Sequence, residues 1–238
     1  MIEIKNALFY CKKFIFNLNC IINKKEKIAI LGHSGSGKST LLNLLAGFIF
    51  LKKGEIWLDG SNHTNTLPCE RPVSILFQEN NLFPHLTVLE NISLGISPNL
   101  QLNNFQTVLV HKIMKEMFLE KYMHYLPSQI SGGQCQLTSL ARCLIRQEPI
   151  LLLDEPFASL DPVLYKDILK FVNDICDRNS LTLLLVSHNL KYISKIVSRV
   201  IVIHHGVIIY DDKIEHLLNG SSSVSHLFDI SNNDIFIK

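Results

Sequence analysis

Nine consecutive residues, Gly32-His33-Ser34-Gly35-Ser36-Gly37-Lys38-Ser39-Thr40, combine the groups needed to hold a polyphosphate. They fit the pattern G-x-x-x-x-G-K-[ST] without a gap. Gly32, Gly35 and Gly37 permit positive φ and a close approach of backbone to ligand. The loop N–H groups then converge on phosphate oxygens, with the positive end of a following helix behind them. Lys38 supplies a mobile point charge for the β- and γ-phosphates. The Ser39 hydroxyl is a hard oxygen ligand suited to Mg²⁺. His33 occupies a variable position and reads as a loop residue rather than a base.

Further chemistry stands at the ends of apolar runs. Ile150-Leu151-Leu152-Leu153-Asp154-Glu155 ends in two acids. Asp154 can hold a Mg²⁺-bound water, and Glu155 can orient and deprotonate an attacking water. Leu181 to Val186 is followed by Ser187-His188, where a histidine can bond a γ-phosphate and the attacking water. Gln78 follows Val73-Ser74-Ile75-Leu76-Phe77, at the strand end where ligand groups sit in open α/β sheets. Ser131-Gly132-Gly133-Gln134 precedes a helical run to about Arg146, and two glycines before a helix N-terminus make a second anion site. That site lies too far along the chain to belong to the first loop. A two-chain arrangement joins them, one subunit's signature closing on nucleotide held by the other. Phe9-Tyr10 in an early turn offers a ring to stack on adenine, with Phe9 ahead of Tyr10, or else packs in the core.

The elements that position these groups follow from periodicity. Lys27 to Leu31 reads as a short buried strand and Leu41 to Ala46 as a helix with an apolar face, so the loop sits between strand and helix. Residues 1–31 alternate apolar and polar positions, as strands do. Lys53 to Gly60 reads as a strand between turns, and 61–72 as a loop carrying Pro68 and Pro72. From residue 80 to about 147 no β-rich run occurs. Leu109, Val110, Ile113, Met114, Met117 and Phe118 have helical spacing there, a packing stripe in an inserted helical subdomain. Asp161 before Pro162 is a helix cap. A last strand pair surrounds His205-Gly206; His204 and His205, adjacent in a strand, are expected on opposite faces with structural roles. Residues 213–238 read as a short helix and a tail, with Ser221-Ser222-Ser223 as a link.

Composition limits the alternatives. A chain of 238 residues, 47% hydrophobic, is enough for one core or a domain with a subdomain. A net charge of +2 implies no large basic face, so no nucleic-acid partner is expected. The six cysteines are scattered without a C-x-x-C pair, which argues against a zinc site or a disulfide framework and suits a reducing compartment. The N-terminus lacks the apolar core and cleavage site of a secretory leader. The longest apolar stretch, Leu41 to Leu51, falls short of the ~20 residues that span a bilayer. Any membrane link is therefore expected to run through a partner.

The loop, Gln78, Ser131-Gly132-Gly133-Gln134, Asp154-Glu155, Ser159-Leu160-Asp161 and His188 occur in the order found in ATP-binding subunits of ABC transporters, which the chain resembles over nearly its whole length. The resemblance implies an α/β fold, a P-loop NTPase with a RecA-like core, an antiparallel β subdomain and an inserted α-helical signature subdomain. The implied division is a nucleotide-binding core at 1–79 and about 148–220, a helical subdomain at about 80–147, and a short tail at 221–238. ATP and Mg²⁺ are the implied ligands. Residues 32–40, with Phe9 or Tyr10, would bind the nucleotide of one subunit, and Ser131 to Gln134 with Asp161 would meet that of the other. Ser39, Gln78 and Asp154 would hold the metal; Glu155, His188, Lys38 and Gln78 would carry hydrolysis.

Arg71 to Phe83, Leu86-Thr87-Val88, Asn91-Ile92 and Ala141-Arg142-Cys143-Leu144 resemble more closely the ATP-binding subunits of bacterial thiamine importers. That subfamily implies a homodimer on the cytoplasmic face of the inner membrane, permease subunits, and a periplasmic thiamine-binding protein reached through the complex. Three departures stand out. Cys135 and Leu137 replace arginines usual after the signature, His33 replaces a proline, and Lys25 replaces a glycine before Glu26. A non-transport ABC ATPase is disfavoured, because neither a long coiled coil nor a tandem ATPase domain is present. A small-molecule kinase is disfavoured by the second glycine-rich signature and the Asp154-Glu155 pair.

Overall fold

The computed structural model describes residues 1–10, 15–79, 81–187, 189–220, 223–224, 228–229 and 236–237. The strands of the main sheet are β1 (Ile2–Tyr10), β2 (Ile15–Ile22), β3 (Lys27–Leu31), β4 (Lys53–Leu58), β5 (Ser61–Asn62), β6 (Val73–Leu76), β7 (Ile150–Asp154), β8 (Thr182–Val186), β9 (Arg199–His204) and β10 (Val207–Lys213), and β11 (Phe228–Asp229) pairs with β12 (Phe236–Ile237) in a separate two-stranded sheet. The helices are α1 (Lys38–Ala46), α2 (Val88–Ser93), α3 (Asn104–Glu116), α4 (Gly132–Leu144), α5 (Pro162–Asn179), α6 (Leu190–Ile193) and α7 (Ile214–Leu218).

The first ten strands form one sheet in the order β5-β4-β1-β2-β10-β9-β3-β8-β7-β6. From β9 to β6 every pairing is parallel. These are the short, continuously apolar runs, as expected of strands covered on both faces. The other half is antiparallel in its β1–β2, β1–β4, β4–β5 and β9–β10 pairs. Its strands alternate; β2 runs exposed-buried along its whole length.

Alternation on the parallel strands divides the core in two. Ile28, Ile30, Ile150, Leu152, Leu184 and Val186 face one side, with Leu41, Leu42, Leu44 and Leu45 of α1 and with Ile2, Phe16 and Leu18 of the antiparallel strands. The curled sheet thus wraps α1. Each of its four buried leucines contributes about 1.5–3 kcal/mol by leaving water. The opposite faces, Leu151, Leu153, Leu183 and Leu185, pack with α3, α4 and α5. On α5, Tyr165, Ile168, Leu169, Val172 and Cys176 form the buried stripe.

Between β6 and β7 the described residues are helical or irregular, as their lack of β-rich runs predicts. Met114 and Met117 are fully buried packing residues. Phe118 departs from the stripe: α3 ends at Glu116, Phe118 takes a φ of +58°, and its ring is left exposed. Residues 61–72 contain the short β5 and a turn of 3₁₀ helix at Pro68–Glu70.

Two local expectations need correction. His204 and His205 do not point to opposite faces; their ring centroids are 4.3 Å apart. Strand β9 ends at His204, and His205 lies in the following turn with φ +46°, which breaks the alternation. Phe9 and Tyr10 are the last residues of β1 rather than part of a turn. Lys25, where the family resemblance leads one to expect glycine, sits at positive φ, +65°. A side chain there costs about 1–2 kcal/mol, a physical reason for glycine at such a position. The Ser221-Ser222 part of the proposed link lies outside the described residues.

Candidate functional site

The parallel register aligns the chemistry. Ile30 pairs with Val186, and Val186 pairs with Asp154. The loop after β3, Ser187 after β8, and Glu155 after β7 therefore emerge along one edge of the sheet. Leu76 pairs with Leu153, so Phe77 and Gln78 leave the same edge one strand further out.

Residues 32–37 make a tight cradle. Gly32, Gly35 and Gly37 all have positive φ, at 147°, 76° and 114°. A Cβ on Gly32 would stand 2.2 Å from the Ile203 carbonyl oxygen, and one on Gly37 would stand 2.2 Å from Cζ of Phe16. Glycine is thus demanded by packing as well as by conformation. The β9–β10 turn braces the loop, with the Gly206 N–H donating to the Ser36 carbonyl at 3.0 Å. The ring of His33 packs edge-on to that of His204, centroids 6.1 Å apart, so His33 faces the brace.

Lys38 opens α1 and is buried. Its Nζ donates to the carbonyls of Gly32 at 2.8 Å and His33 at 3.0 Å. Burial pushes its pKa below the usual lysine range, while the negative charges of Glu155 and Asp154 pull it back up. Ser36 Oγ is buried and finds no hydrogen-bond partner among the described residues. A cradle of N–H groups with a buried cation and an orphaned hydroxyl suits an anionic ligand with many acceptor oxygens.

Asp154 is buried at 6% exposure at the end of β7. Glu155 follows at φ +48°, with its N–H donating to the Val186 carbonyl at 3.1 Å. Ser39 and Gln78 are exposed. Hydroxyl, carboxylate and amide oxygens form a hard donor set of the kind Mg²⁺ takes. His188 lies outside the described residues.

The signature builds a separate cleft. Ser131 caps α4: its Oγ accepts the Gln134 N–H at 3.3 Å, and Gln134 Oε1 accepts the Ser131 N–H at 2.8 Å. Asp161 caps α5, accepting the N–H groups of Val163 and Leu164, each at 3.0 Å. Ser131 to Gln134 line this cleft with Ser159, Leu160 and Asp161, and no residue of the 32–40 loop lines it. The two glycine-rich segments are therefore not brought together within one chain. Leu137 is buried, at 2% exposure, whereas Cys135 is half-buried with its Sγ 3.6 Å from the Pro127 carbonyl oxygen. Of the two aromatic candidates, Phe9 packs tilted on Phe16, centroids 6.0 Å apart. Tyr10 is exposed, with Lys52 Nζ 4.8 Å from its ring centre.

Three side chains to which the sequence assigned no role organise the surroundings. Arg71, only 2% exposed, donates to the Leu44, Leu45 and Thr66 carbonyls and closes the C-terminal end of α1. Asn91, fully buried, holds the 83–87 segment through the Phe83 N–H and the Phe83, Leu86 and Thr87 carbonyls. Gln136 bridges α4 to the segment after β7. A polar residue flanked by apolar helix positions was the available signal for Asn91 and Gln136; nothing local marked Arg71.

A phosphate cradle, a paired acid two strands along the same sheet edge and a separate signature cleft define a P-loop NTPase of the cassette type. Residues 15–158 match the ABC transporter family, and the chain belongs to it. Its relatives include the thiamine import ATP-binding protein ThiQ of Photorhabdus laumondii, 48% identical over 93% of this chain and 94% of the relative. ThiQ of Shigella boydii is 45% identical over 97% of this chain and 100% of the relative. Among solved structures, a dimeric ATP-binding cassette in a post-hydrolysis state, bound to ADP and Pi, is similar with a TM-score of 0.81. It is 28% identical and matches over 90% of this chain and 99% of that one. A nucleotide-free cassette from an ABC transporter aligns at 25% identity and a TM-score of 0.79, over 94% and 96% of the two chains.

Proposed function

We propose that this chain is the ATP-hydrolysing motor of a bacterial thiamine importer. The observation that carries the reading is the alignment of the 32–40 cradle with Asp154 and Glu155 along one strand edge, in a chain 45–48% identical to ThiQ proteins over most of its length.

In this reading the loop N–H groups and Lys38 hold the β- and γ-phosphates. Ser39, Asp154 and Gln78 hold Mg²⁺, which when bound neutralises phosphate charge. Glu155 orients a water and takes its proton. His188 would steady the γ-phosphate and that water. Tyr10 or Phe9 would stack on the adenine. Ser131 to Gln134 and Asp161 would close on nucleotide held by a second copy, because the cradle and the signature cleft are separate within one chain.

Residues 80–147 would act as the lever between nucleotide and permease, standing apart from a core at 1–79 and 148–220. A groove lined by Phe48, Cys69, Phe77, Phe83 and Arg142 joins that lever to the α1–β6 region and offers aromatic surface to a permease. No helix among the described residues is long and apolar enough to cross a membrane. Attachment at the cytoplasmic face of the inner membrane would therefore come through permease subunits, which a periplasmic thiamine-binding protein supplies from the other side.

The test is ATP hydrolysis by the chain reconstituted with its permease, with and without thiamine-loaded binding protein. Stimulation by the loaded protein is expected. Steady hydrolysis without stimulation would remove thiamine from the reading and leave the motor; no hydrolysis in an assembled complex would remove the motor.

A further inference from the structure

Gln136 lies in the second turn of α4 at 4% exposure, and both ends of its amide are used across the fold. Nε2 donates to the Glu155 carbonyl oxygen at 2.9 Å, and Oε1 accepts the Ser159 N–H at 2.9 Å. One partner is an acceptor and the other a donor, so the position needs a side chain that both gives and receives. Glutamine does this; glutamate and methionine, of similar length, do not.

The first bond falls where the backbone is under tension. Glu155 has φ +48°, a left-handed conformation that costs a non-glycine residue about 1–2 kcal/mol. Such a conformation persists only where surrounding contacts hold it. The Glu155 N–H is held by the Val186 carbonyl of β8 at 3.1 Å. Its carbonyl is held by Gln136, and a longer bond from the Ala158 N–H at 3.4 Å lies beside it. The second bond, to Ser159, has its own steric signature: a Cβ on Gly133 would lie 3.0 Å from the Ser159 carbonyl oxygen. The first turns of α4 are thus fitted closely against the segment that carries Glu155.

We propose that Gln136 is a positioning residue for hydrolysis, fixing the backbone from which the Glu155 carboxylate projects and tying it to α4. The proposal rests on Glu155 being the base. Because φ sets the direction of the Cα–Cβ bond, release of this conformation re-aims the carboxylate without removing it. Displacement of a reacting group by 1 Å can cost about 100-fold in rate. The same link makes any movement of the signature end of α4 a movement of the base.

The experiment uses the full chain assembled with its permease and compares Gln136→Met and Gln136→Glu. The first removes both bonds while keeping length; the second keeps an acceptor for Ser159 and loses the donor to Glu155. Both are expected to lower kcat by about 10- to 100-fold, with the Kd for ATP within about twofold; the groups left unpaired should lower the melting temperature by several degrees in either variant, so the split between kcat and Kd is the deciding readout. Combined with Glu155→Gln, the Gln136→Met change should cost nothing further in single-turnover rate, since the residue it positions has lost its function. Wild-type turnover in both Gln136 variants, or losses that multiply in the double variant, would overturn the proposal. Should Gln136→Met fail to fold, Gln136→Glu alone carries the same comparison. Undiminished turnover in Glu155→Gln by itself would instead refute the assignment of the base.

Discussion

Arg71 Nη1 donates to the Leu44 carbonyl at 2.7 Å, so a buried guanidinium closes one end of the helix whose other end carries the phosphate cradle. The same Nη1 reaches Leu45 at 3.0 Å, and Nε and Nη2 both reach Thr66 at 3.2 Å. Gly47 makes room, since a Cβ there would lie 2.6 Å from Arg71 Nε. A cation at a helix C-terminus opposes the negative end of the dipole as it satisfies the last carbonyls.

Replacing Arg71 with Met leaves those carbonyls buried without their donor. Each unsatisfied group costs about 1–3 kcal/mol, against which the released desolvation of the guanidinium is a partial offset. The expected net loss is about 3 kcal/mol, or roughly 6–12 °C in melting temperature for a domain of this size. An unchanged melting curve would show that Arg71 does not hold α1.

Glu155→Gln keeps the shape of the side chain and removes its basicity. ATP binding is expected to persist while turnover falls by about 10²- to 10⁴-fold. With ATP the variant should elute from a sizing column as a dimer, because closure without hydrolysis traps nucleotide between two copies.

Lys38 predicts a pH dependence of nucleotide binding. Its folded pKa is depressed below the ordinary value of 10.5, chiefly by burial. Stability carried by the neutral lysine is therefore present above the unfolded pKa and lost as pH falls through the folded one. At neutral pH the charged ammonium is a cost to the nucleotide-free protein, and phosphate charge relieves it. The rise in melting temperature on adding ADP should shrink as pH is raised toward the ordinary lysine value of 10.5, because the depressed folded pKa is passed on the way. Lys38→Met should show little ADP-induced rise at any pH. A rise in the native chain that ignores pH would refute this account.

Cys135 is where added charge can be tested without repacking. It is half-buried, whereas Leu137 is in the core, so Arg at 137 would disturb packing while Cys135→Arg would not. If positive charge beside the signature assists closure of the dimer, Cys135→Arg should raise the hydrolysis rate several-fold at low salt and less at high salt. Equal rates at both would mean that the cysteine has no effect on turnover.

The order of the elements, the cradle at 32–40, the acids at the end of β7 and the cap Asp161 were legible in the chain because each depends on neighbours within a few residues. Local steric and hydrogen-bonding rules suffice for a glycine turn, an apolar strand or a helix cap. Tertiary structure alone decided what meets across long separations. Ile30, Val186 and Asp154 become neighbours through strand register, which is why the cradle and the acids share an edge. Arg71 reaches back 27 residues to Leu44, and Gln136 reaches forward 19 to Glu155. His204 and His205 were misplaced for a local reason, since one left-handed turn residue undoes the alternation that a continuous strand would impose. Buried polar side chains find partners wherever the packed fold supplies them, and that supply is set by three-dimensional packing rather than by spacing along the chain.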